Sequence, residues 1–415
     1  METVFLLINI LLYFFFLIKE MKIERVSVVT FIIFIYLFVA VFGFVLFTNP
    51  MSKGLYRVSL FPQILLFIII CITLSPIRKC TTIYEGTIKP PSEKIFKLFI
   101  YFVAIITFLR APGLFKNLSD NMLLMIYDTS YLSSKYEELY SGGTSGFSSG
   151  SFNYIAILGG MIDEIAVFLF MYYLSCKKRK TWIVITLVIA SILSPIGALV
   201  QARRGAMVSA VLNFCVFYLM FRHAYTEVIN RRIKRILIIV SSLIVVGMTL
   251  ITISRFTKSY MDDDYATNSV LYYVGQPMLY IDDAVMDSGG HRWGDRTIPL
   301  FKSLFTTGAY TYSQRVDVYK NLNVDETVFT TFWGEFVLDF GVIFGILLWL
   351  LLILWLYLLG PGTRKQIPFY RLLPIVILID ILVSGWTQSP FSDIGGNIHF
   401  IFILLLYYYF KLNKY

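Results

Sequence analysis

Arginine is the residue type in this 415-residue chain whose placement first points to chemistry. The arginines concerned are Arg203, Arg204, Arg255, Arg292, Arg296 and Arg315. A planar guanidinium group binds phosphate or pyrophosphate oxygens with two parallel hydrogen bonds. These positions therefore suggest a phosphate-bearing ligand. The alternative is that the same side chains snorkel toward, or pair with, the phosphates of bulk lipid.

An aromatic and polar segment precedes three of these arginines. It reads LYYVGQPMLYI over residues 271–281 and continues into Asp282 and Asp283. Tyrosine rings can stack on sugar rings, and amide or carboxylate groups can bind sugar hydroxyls. The alternative roles are interfacial anchoring for the tyrosines and simple packing for His291, which follows this segment. The candidate substrate-binding residues are Tyr272, Tyr273, Gln276, Tyr280, Asp283, His291, Arg292, Arg315 and Asp339.

Acidic residues inside apolar stretches form a second group of candidates, because charge within a membrane is costly and usually functional. They are Asp163, Glu164, Glu335, Asp339 and Asp380. Glu335 and Asp339 are four residues apart and would share one helix face. Either carboxylate could act as a general base or orient an arginine. A purely structural ion pair with a neighbouring helix is the alternative.

The composition identifies the elements that must position these side chains. Hydrophobic residues make up 57% of the chain and charged residues 15%, with a mean hydropathy of +0.72. Soluble domains contain about 25% charged residues. The sequence therefore predicts an all-α polytopic membrane protein. The net charge of +10 is explained by the excess of Lys and Arg that membrane proteins carry in their cytoplasmic segments. No nucleic-acid partner is therefore expected.

A spanning helix needs about 20 apolar residues. About eleven stretches qualify, at residues 3–18, 26–48, 58–75, 95–109, 152–175, 181–200, 205–222, 236–254, 331–359, 369–388 and 397–411. The basic runs at 177–180 and 231–235 fall on one side if the N-terminus is outside. The positive-inside rule then predicts an external N-terminus and a cytoplasmic C-terminus.

Two polar stretches interrupt what is otherwise a single integral membrane domain over residues 1–415. Residues 110–151 contain a Gly/Ser tract and are predicted to be a flexible outer loop. Residues 255–330 are predicted to form a large extracytoplasmic loop that lies against the membrane. Loops of this length are usually functional. The four cysteines all fall within spans or on the inner side, so no disulfide is expected.

Motifs for nucleotide or metal chemistry are missing from the sequence. We find no phosphate-cradling glycine loop, no zinc-ligand spacing and no nucleophile elbow. The run Asp262-Asp263-Asp264 is interpreted as a solvated turn, because consecutive side chains diverge. No metal and no cofactor are therefore expected.

Three short patterns together resemble a known family. They are Arg203-Arg204-Gly205 in a short outer turn, the segment 272–277 in the long loop, and the segment 334–341 at the start of a span. This layout, over most of residues 150–360, resembles the O-antigen and oligosaccharide repeat-unit polymerases of bacterial membranes. The resemblance implies an architecture like that of the GT-C membrane glycosyltransferases.

The activity that the resemblance implies is metal-independent glycosyl transfer at the outer face of the bacterial plasma membrane. The enzyme would move a growing O-antigen, capsular or exopolysaccharide chain from polyprenyl pyrophosphate to the non-reducing sugar of a new lipid-linked repeat unit. Its partners would be the lipid-linked donor and acceptor and the surrounding membrane lipids. A chain-length regulator is a candidate protein partner.

Roles for individual residues follow from that implied reaction. Arg203, Arg204 and Arg255 would bind the pyrophosphate and stabilise the charge that develops on it, with Arg315 assisting. Glu335 would deprotonate the acceptor hydroxyl. The aromatic segment would close over the sugars and exclude water.

Two other functions share these sequence features. One is a ligase that transfers a finished glycan to a lipid acceptor. The other is a transporter or flippase of lipid-linked oligosaccharide, for which charges near the middle of the membrane would be expected. The large outer loop favours an enzyme over a transporter.

Overall fold

The computed structural model describes residues 1–52, 54–78, 80, 83–127, 151–200, 204–257, 263–306, 309–310, 312–326, 328–362 and 366–413. In these ranges the regular structure is helical apart from one pair of two-residue parallel strands. They are β1 (Ile88–Lys89) and β2 (Ile367–Pro368).

The α-helices of the described ranges are α1 (Glu2–Ile23), α2 (Val28–Thr48), α3 (Leu60–Arg78), α4 (Glu93–Tyr127), α5 (Ser151–Ser175), α6 (Thr181–Val200), α7 (Arg204–Phe221), α8 (Glu227–Thr257), α9 (Asp263–Met286), α10 (Pro299–Phe305), α11 (Tyr312–Val318), α12 (Phe332–Leu359), α13 (Leu373–Ser384) and α14 (Asp393–Leu412).

The prediction of an all-α polytopic membrane protein is confirmed. Eight helices of the described ranges are long and apolar enough to cross a membrane, and a ninth span is added if the two parts of α5, bent by 42°, count as one. Helices suit this environment because each satisfies its own backbone hydrogen bonds. The eight are α1, α2, α3, α4, α6, α7, α12 and α14.

Two of the eleven predicted spans are not among these helices. The stretch 236–254 lies within α8, but much of it falls outside the residues whose side chains are described, so this span stays a prediction. The stretch 369–388 contains only the twelve-residue helix α13. At about 1.5 Å per residue α13 is roughly 18 Å long, against a hydrocarbon core of about 30 Å. The residues of α13 from Leu373 to Val383 are buried in the protein. An apolar stretch of sequence does not by itself distinguish a helix buried in protein from one that faces lipid.

The segment predicted as a large loop contains a long helix. Helix α9 covers residues 263–286, and Met278, Leu279 and Ile281 on it are fully buried. It packs against α2, α3 and α12. This part of 255–330 is therefore a helix packed in the protein, and its placement against the membrane stays a prediction. Gly275 and Pro277 lower its intrinsic helix propensity, and tertiary packing overrides that preference.

Small residues allow the close contact between α9 and α2. A Cβ atom added to Gly275 would lie 2.6 Å from the carbonyl oxygen of Phe42, so the two backbones touch there. Gly43 on α2 faces the same point, with its own added Cβ 3.4 Å from the Gly275 carbonyl oxygen. Paired small residues are a common way for helices to approach closely in membranes.

The chain divides into two compact units. The first contains Met1–Thr81, Asp263–Arg364 and Arg371–Leu404, and the second contains Thr82–Asp262, Lys365–Tyr370 and Leu405–Tyr415. The first unit therefore holds α9 to α13 and the acidic start of α12. The second unit holds the sequence positions of Arg203, Arg204 and Arg255.

One end of the second unit collects several segments that the sequence predicts to be cytoplasmic. The Lys177 ammonium lies 3.1 Å from the Glu85 carboxylate, and the backbone N–H of Ile83 donates to the Met220 carbonyl. The N–H of Ile367 donates to the Thr87 carbonyl. These contacts join residues before α4, after α5, at the end of α7 and before α13. The prediction that these segments lie on the same side of the membrane is consistent with their contacts at one end of the second unit.

Candidate functional site

The first turns of α12 carry the two acidic residues that the sequence singles out. Thr331 caps the helix, its hydroxyl accepting from the Gly334 N–H at 3.3 Å. Glu335 is 4% exposed and Asp339 fully buried. The helix is interrupted two residues later at Gly341, where φ is 76° and ψ 168°. Both carboxylates contact the segment that follows α9, so they share a helix face as predicted.

The interruption at Gly341 leaves carbonyl groups of α12 available to another segment. The backbone N–H of Arg292 donates to the Leu338 carbonyl, and the N–H of Trp293 donates to the Asp339 carbonyl, both at 2.9 Å. The chain after α9 is thereby attached to the first part of α12. This attachment delivers Arg292 and Arg296 to the two carboxylates.

Arg292 is buried, and all three of its guanidinium nitrogens have acceptors. Nε donates to Asp339 at 2.8 Å, Nη1 to Glu326 at 2.6 Å and Nη2 to the Glu335 carbonyl at 3.1 Å. Burial would lower the pKa of Arg292, but the Asp339 and Glu326 carboxylates outweigh it and raise the pKa above its usual value. The side chain therefore stays charged inside the protein.

Asp339 acts as an anchor for the segment that begins with Arg292. Besides Arg292, its carboxylate accepts from the Thr297 N–H at 2.7 Å and the Thr297 hydroxyl at 2.6 Å. The Arg296 N–H adds a longer bond of 3.3 Å. A carboxylate with this many donors holds structure in place and has little capacity left for a substrate.

Arg296 is the central cation of the site. Its Nε donates to Glu335 at 3.1 Å, Nη1 to Asp393 at 3.0 Å and Nη2 to the Gln388 side chain at 2.9 Å. The second Glu335 oxygen accepts from the Ser389 N–H at 2.9 Å and the Ser392 hydroxyl at 2.6 Å. Both oxygens of Glu335, the predicted general base, are thus engaged in orienting Arg296 and the chain before α14.

Arg315 on α11 is the third arginine that contacts these carboxylates. Its Nε donates to Glu326 and its Nη2 to Asp393, both at 3.3 Å, while Nη1 reaches the Tyr310 carbonyl at 3.2 Å. Its side chain is 3% exposed. We call the group of Arg292, Arg296, Arg315, Glu326, Glu335, Asp339 and Asp393 the arginine cluster.

Asp393 is the outward-facing member of the arginine cluster. Its side chain is 51% exposed and bridges Arg296 and Arg315. Its backbone has a φ of 62°, and its N–H donates to the Arg296 carbonyl at 2.9 Å. One buried and one largely buried guanidinium group thus converge on one accessible carboxylate. An oxyanion of similar size, such as a phosphate oxygen, could make the same contacts.

The other predicted substrate-binding residues line α9 and its C-terminal side. Tyr280 packs against Val324 and Leu338, beside the arginine cluster. Gln276 donates to the Tyr56 hydroxyl at 3.1 Å. Tyr272 packs with the hydrophobic core around Tyr56, and Tyr273 contacts Phe329 and Trp386 edge-on. Asp283 is partly buried, and His291 is exposed with its ring edge-on to Trp293. Leu338 directly precedes Asp339 in α12, so Tyr280 packs next to the arginine cluster without contacting one of its members in these pairs.

The contacts described above do not include the three arginines that the sequence predicts to bind pyrophosphate. Arg203 lies outside the described residues. Arg204 is the first residue of α7 and Arg255 lies in α8, but the positions of their side chains are not described. Their role stays a prediction.

Two members of the arginine cluster, Glu326 and Asp393, were not singled out from the sequence, and Arg296 was singled out without an assigned role. Arg296 follows Arg292 by four residues in a polar segment, and that spacing could have given it a role beside Arg292. Asp393 is 97 residues away from its partner Arg296, and no sequence spacing indicates that pair.

Metal binding has no candidate in the described residues. No group of three or more histidine, cysteine, aspartate or glutamate side chains there is arranged to hold an ion. Each acidic member of the arginine cluster contacts at least one guanidinium group instead.

Comparison with known proteins gives no relative for this chain: no protein-family profile, no curated protein and no solved structure matches it.

Proposed function

We propose that this multi-pass membrane protein is a metal-independent glycosyltransferase that polymerises lipid-linked oligosaccharide repeat units. It transfers the growing glycan from polyprenyl pyrophosphate to the non-reducing sugar of a new repeat unit at the outer face of the bacterial plasma membrane. The observation that carries the proposal is the convergence of Arg296 and Arg315 on the exposed carboxylate of Asp393. The resemblance of three short patterns to those of repeat-unit polymerases also supports it.

Pyrophosphate recognition in this proposal occurs by exchange of anions. The donor pyrophosphate displaces the Asp393 carboxylate, which is half-exposed and free to turn toward solvent. Arg296 and Arg315 are held from behind by Glu335 and Glu326, so their orientation is set before the ligand arrives. Preorganised donors of this kind stabilise charge as it develops.

The reaction breaks the bond between the anomeric carbon of the donor glycan and its phosphate oxygen. The acceptor hydroxyl oxygen forms the new bond to that carbon, and its proton passes to a phosphate oxygen of the departing pyrophosphate. The electron pair of the broken bond stays on the pyrophosphate, where the guanidinium groups stabilise it. Glu335 is assigned to positioning Arg296 in place of its predicted role as base, because both its oxygens are engaged. Arg203, Arg204 and Arg255 keep their predicted role toward pyrophosphate.

A transporter of lipid-linked oligosaccharide is the second candidate, and one observation favours it. Asn9, Gln63 and Asp282 form a fully buried polar network between α1, α3 and α9. Buried polar networks among membrane helices often lie on transport pathways. A glycan ligase would use the arginine cluster in the same way as a polymerase, so product length separates those two enzymes.

The experiment that tests the proposal is the length distribution of surface glycan in the native host at matched protein expression. Arg296→Lys, Arg315→Lys, Arg203→Ala, Arg204→Ala and Arg255→Ala should each reduce the long-chain ladder while single repeat units still reach the surface. Removing one positioned donor typically costs about 100- to 1000-fold in rate. Asp393→Asn should keep the ladder, since pyrophosphate replaces that carboxylate.

Arg231→Ala is the matched control, because Arg231 forms an exposed ion pair with Glu227 within α8. Such pairs contribute little, so this variant should give the wild-type ladder. If the Arg296 and Arg315 variants abolish surface glycan of every length, export or ligation has failed, and the transporter or ligase replaces the polymerase. An unchanged ladder in all five arginine variants would exclude these residues from the reaction.

A further inference from the structure

A cavity of about 650 Å3 opens in the second unit where α5 ends and α4 and α6 begin. Its lining includes the buried side chains of Phe96, Tyr172 and Ile183 and the more exposed side chains of Lys97, Arg179 and Lys180. The volume lies within the roughly 300–1000 Å3 typical of small-ligand sites. The cavity thus combines an apolar interior with a basic entrance.

Positive charge is in excess at this cavity. Its lining includes five basic residues, of which four are consecutive at 177–180, and two acidic residues, Glu85 and Glu93. Lys97 and Lys180 share a single carboxylate, with their ammonium groups 2.5 Å and 3.6 Å from Glu93. An anionic ligand would complement the remaining charge, and a zwitterionic one would not.

The position of the cavity relative to the helix ends matches the boundary of a membrane. α4 starts at Glu93 and α6 at Thr181, and both are candidate spans. Phe96 and Ile183 lie within the first turn of these helices, so the apolar wall begins at the ends of two candidate spans. Residues 177–180 lie just before α6, and Lys97 directly follows Phe96 in α4, so the basic side chains gather at the same end of both helices. This end of the second unit is the one that the sequence predicts to be cytoplasmic.

Contacts within the wall keep the cavity in shape. The rings of Phe96 and Tyr173 stack with centroids 5.7 Å apart, and the Tyr173 hydroxyl accepts from the Lys180 N–H at 2.8 Å. The Arg179 guanidinium donates through Nε to the Cys176 carbonyl at 2.7 Å. The basic segment is therefore held against the aromatic wall without a ligand.

We propose that this cavity binds an anionic phospholipid of the surrounding leaflet. The phosphate lies between Lys97, Arg179 and Lys180, and the start of an acyl chain lies along Phe96 and Ile183. Basic pockets between membrane helices bind acidic lipid headgroups by the same combination of charge and apolar contact. This site is independent of the proposed glycosyl transfer.

Native mass spectrometry of the full chain in detergent tests the proposal by titration with phosphatidylglycerol and phosphatidylcholine of identical acyl chains. We expect one phosphatidylglycerol to bind preferentially. Replacing both Lys97 and Lys180 with alanine should weaken its binding about 25-fold, at roughly fivefold per cation near a membrane surface. Glu93→Gln should strengthen binding several-fold, because it releases both lysines. A gain in affinity cannot result from misfolding.

The matched control is the double variant Arg232→Ala with Lys234→Ala. It removes two cations from exposed positions of α8 that are predicted to lie on the same membrane side. It should bind phosphatidylglycerol within twofold of wild type. Equal loss in this control, or equal binding of phosphatidylcholine, would show nonspecific adsorption and overturn the proposal. If inorganic phosphate displaces the lipid completely at equal concentration, the site recognises a soluble anion and the lipid assignment is wrong.

Discussion

Arg292, Arg296 and Arg315 are largely buried, and each of their guanidinium nitrogens has a defined acceptor. Removing one partner of a buried ion pair commonly costs about 3–5 kcal/mol, since the other charge is left uncompensated. Asp339 and Glu335 therefore have a structural role whatever the protein catalyses. Only Asp393 in the arginine cluster is exposed enough to exchange with a ligand. Function at this site is accordingly expected to depend on Arg296 and Arg315, the two cations that Asp393 bridges.

Asp282 is the buried acid outside the arginine cluster with the most defined surroundings. Its carboxylate accepts from the Ser59 N–H at 2.6 Å, the Ser59 hydroxyl at 2.8 Å and the Gln63 amide at 2.6 Å. Gln63 in turn accepts from Asn9 at 2.7 Å. Burial raises the pKa of Asp282 from 3.8 to about 6, and these hydrogen bonds only partly offset it.

This raised pKa predicts a pH-dependent stability with a defined sign. The folded protein holds the Asp282 proton more tightly than the unfolded chain, so the stabilisation is complete below about pH 4 and is lost as the pH rises through 6. A shift of this size corresponds to roughly 3 kcal/mol. Thermal unfolding in detergent between pH 4 and 7 should show a steeper decline for wild type than for Asp282→Asn. Parallel curves for the two proteins would refute the prediction.

The control for this measurement is Asp287→Asn. Asp287 lies one turn further along the chain, and its carboxylate accepts an exposed hydrogen bond from Asn323. Its replacement should leave the wild-type pH dependence in place. A change as large as that of Asp282→Asn would mean that surface charge, and not the buried network, sets the pH profile.

Among the elements, α12 does most to build the site. Its first part carries Glu335 and Asp339, its interruption at Gly341 exposes carbonyl groups to the segment after α9, and its remaining length is apolar. The backbone angles at Gly341 lie in a region that is essentially restricted to glycine. A Cβ atom there would also lie 2.9 Å from the His291 ring. The break is thus specified by one residue.

Gly341→Ala should destabilise the protein by about 1–3 kcal/mol, the usual cost of forcing a side chain into such a conformation. Gly345→Ala is the matched control four residues later. Its Cβ would make only ordinary contacts at 3.5 Å, and alanine favours the helix by up to about 1 kcal/mol. Thermal unfolding of both variants should rank Gly341→Ala below wild type and Gly345→Ala at or above it. The opposite ranking would show that α12 tolerates a continuous helix.

For the whole molecule, orientation in the membrane is the property that links structure to the proposed reaction. The contacts at one end of the second unit bring together residues 83–93, 176–180 and 366–370, all predicted to be cytoplasmic. The arginine cluster lies in segments predicted to face outside. The proposed reaction at the outer face requires both placements.

Single-cysteine labelling with a membrane-impermeant thiol reagent tests the orientation. In a background where Cys71, Cys80, Cys176 and Cys215 are replaced, Lys178→Cys and His223→Cys should label only after the cells are opened, while Asp287→Cys should label in intact cells. The inverse pattern would place the arginine cluster in the cytoplasm and contradict the proposed function. Different accessibility of Lys178→Cys and His223→Cys would contradict the grouping of these segments at one end.

Much of the architecture was predictable because hydropathy is a local property. The membrane class, most of the spans and the shared face of Glu335 and Asp339 all follow from composition and from a period of 3.6 residues. Local pattern cannot distinguish a buried helix from a spanning one, so α13 was predicted as a full span. It also gave no indication that 263–286 would be a packed helix instead of a loop.

The partners of the charged residues were decided only by the tertiary structure. Arg296 meets Asp393 across 97 residues and Glu335 across 39, and Asp282 meets Gln63 across 219. Many arginines and carboxylates of this chain are chemically equivalent as ion-pair partners. Which of them pair depends on the approach of α9, α12 and α14, and that approach is set by close packing at Gly275 and by the helix break at Gly341.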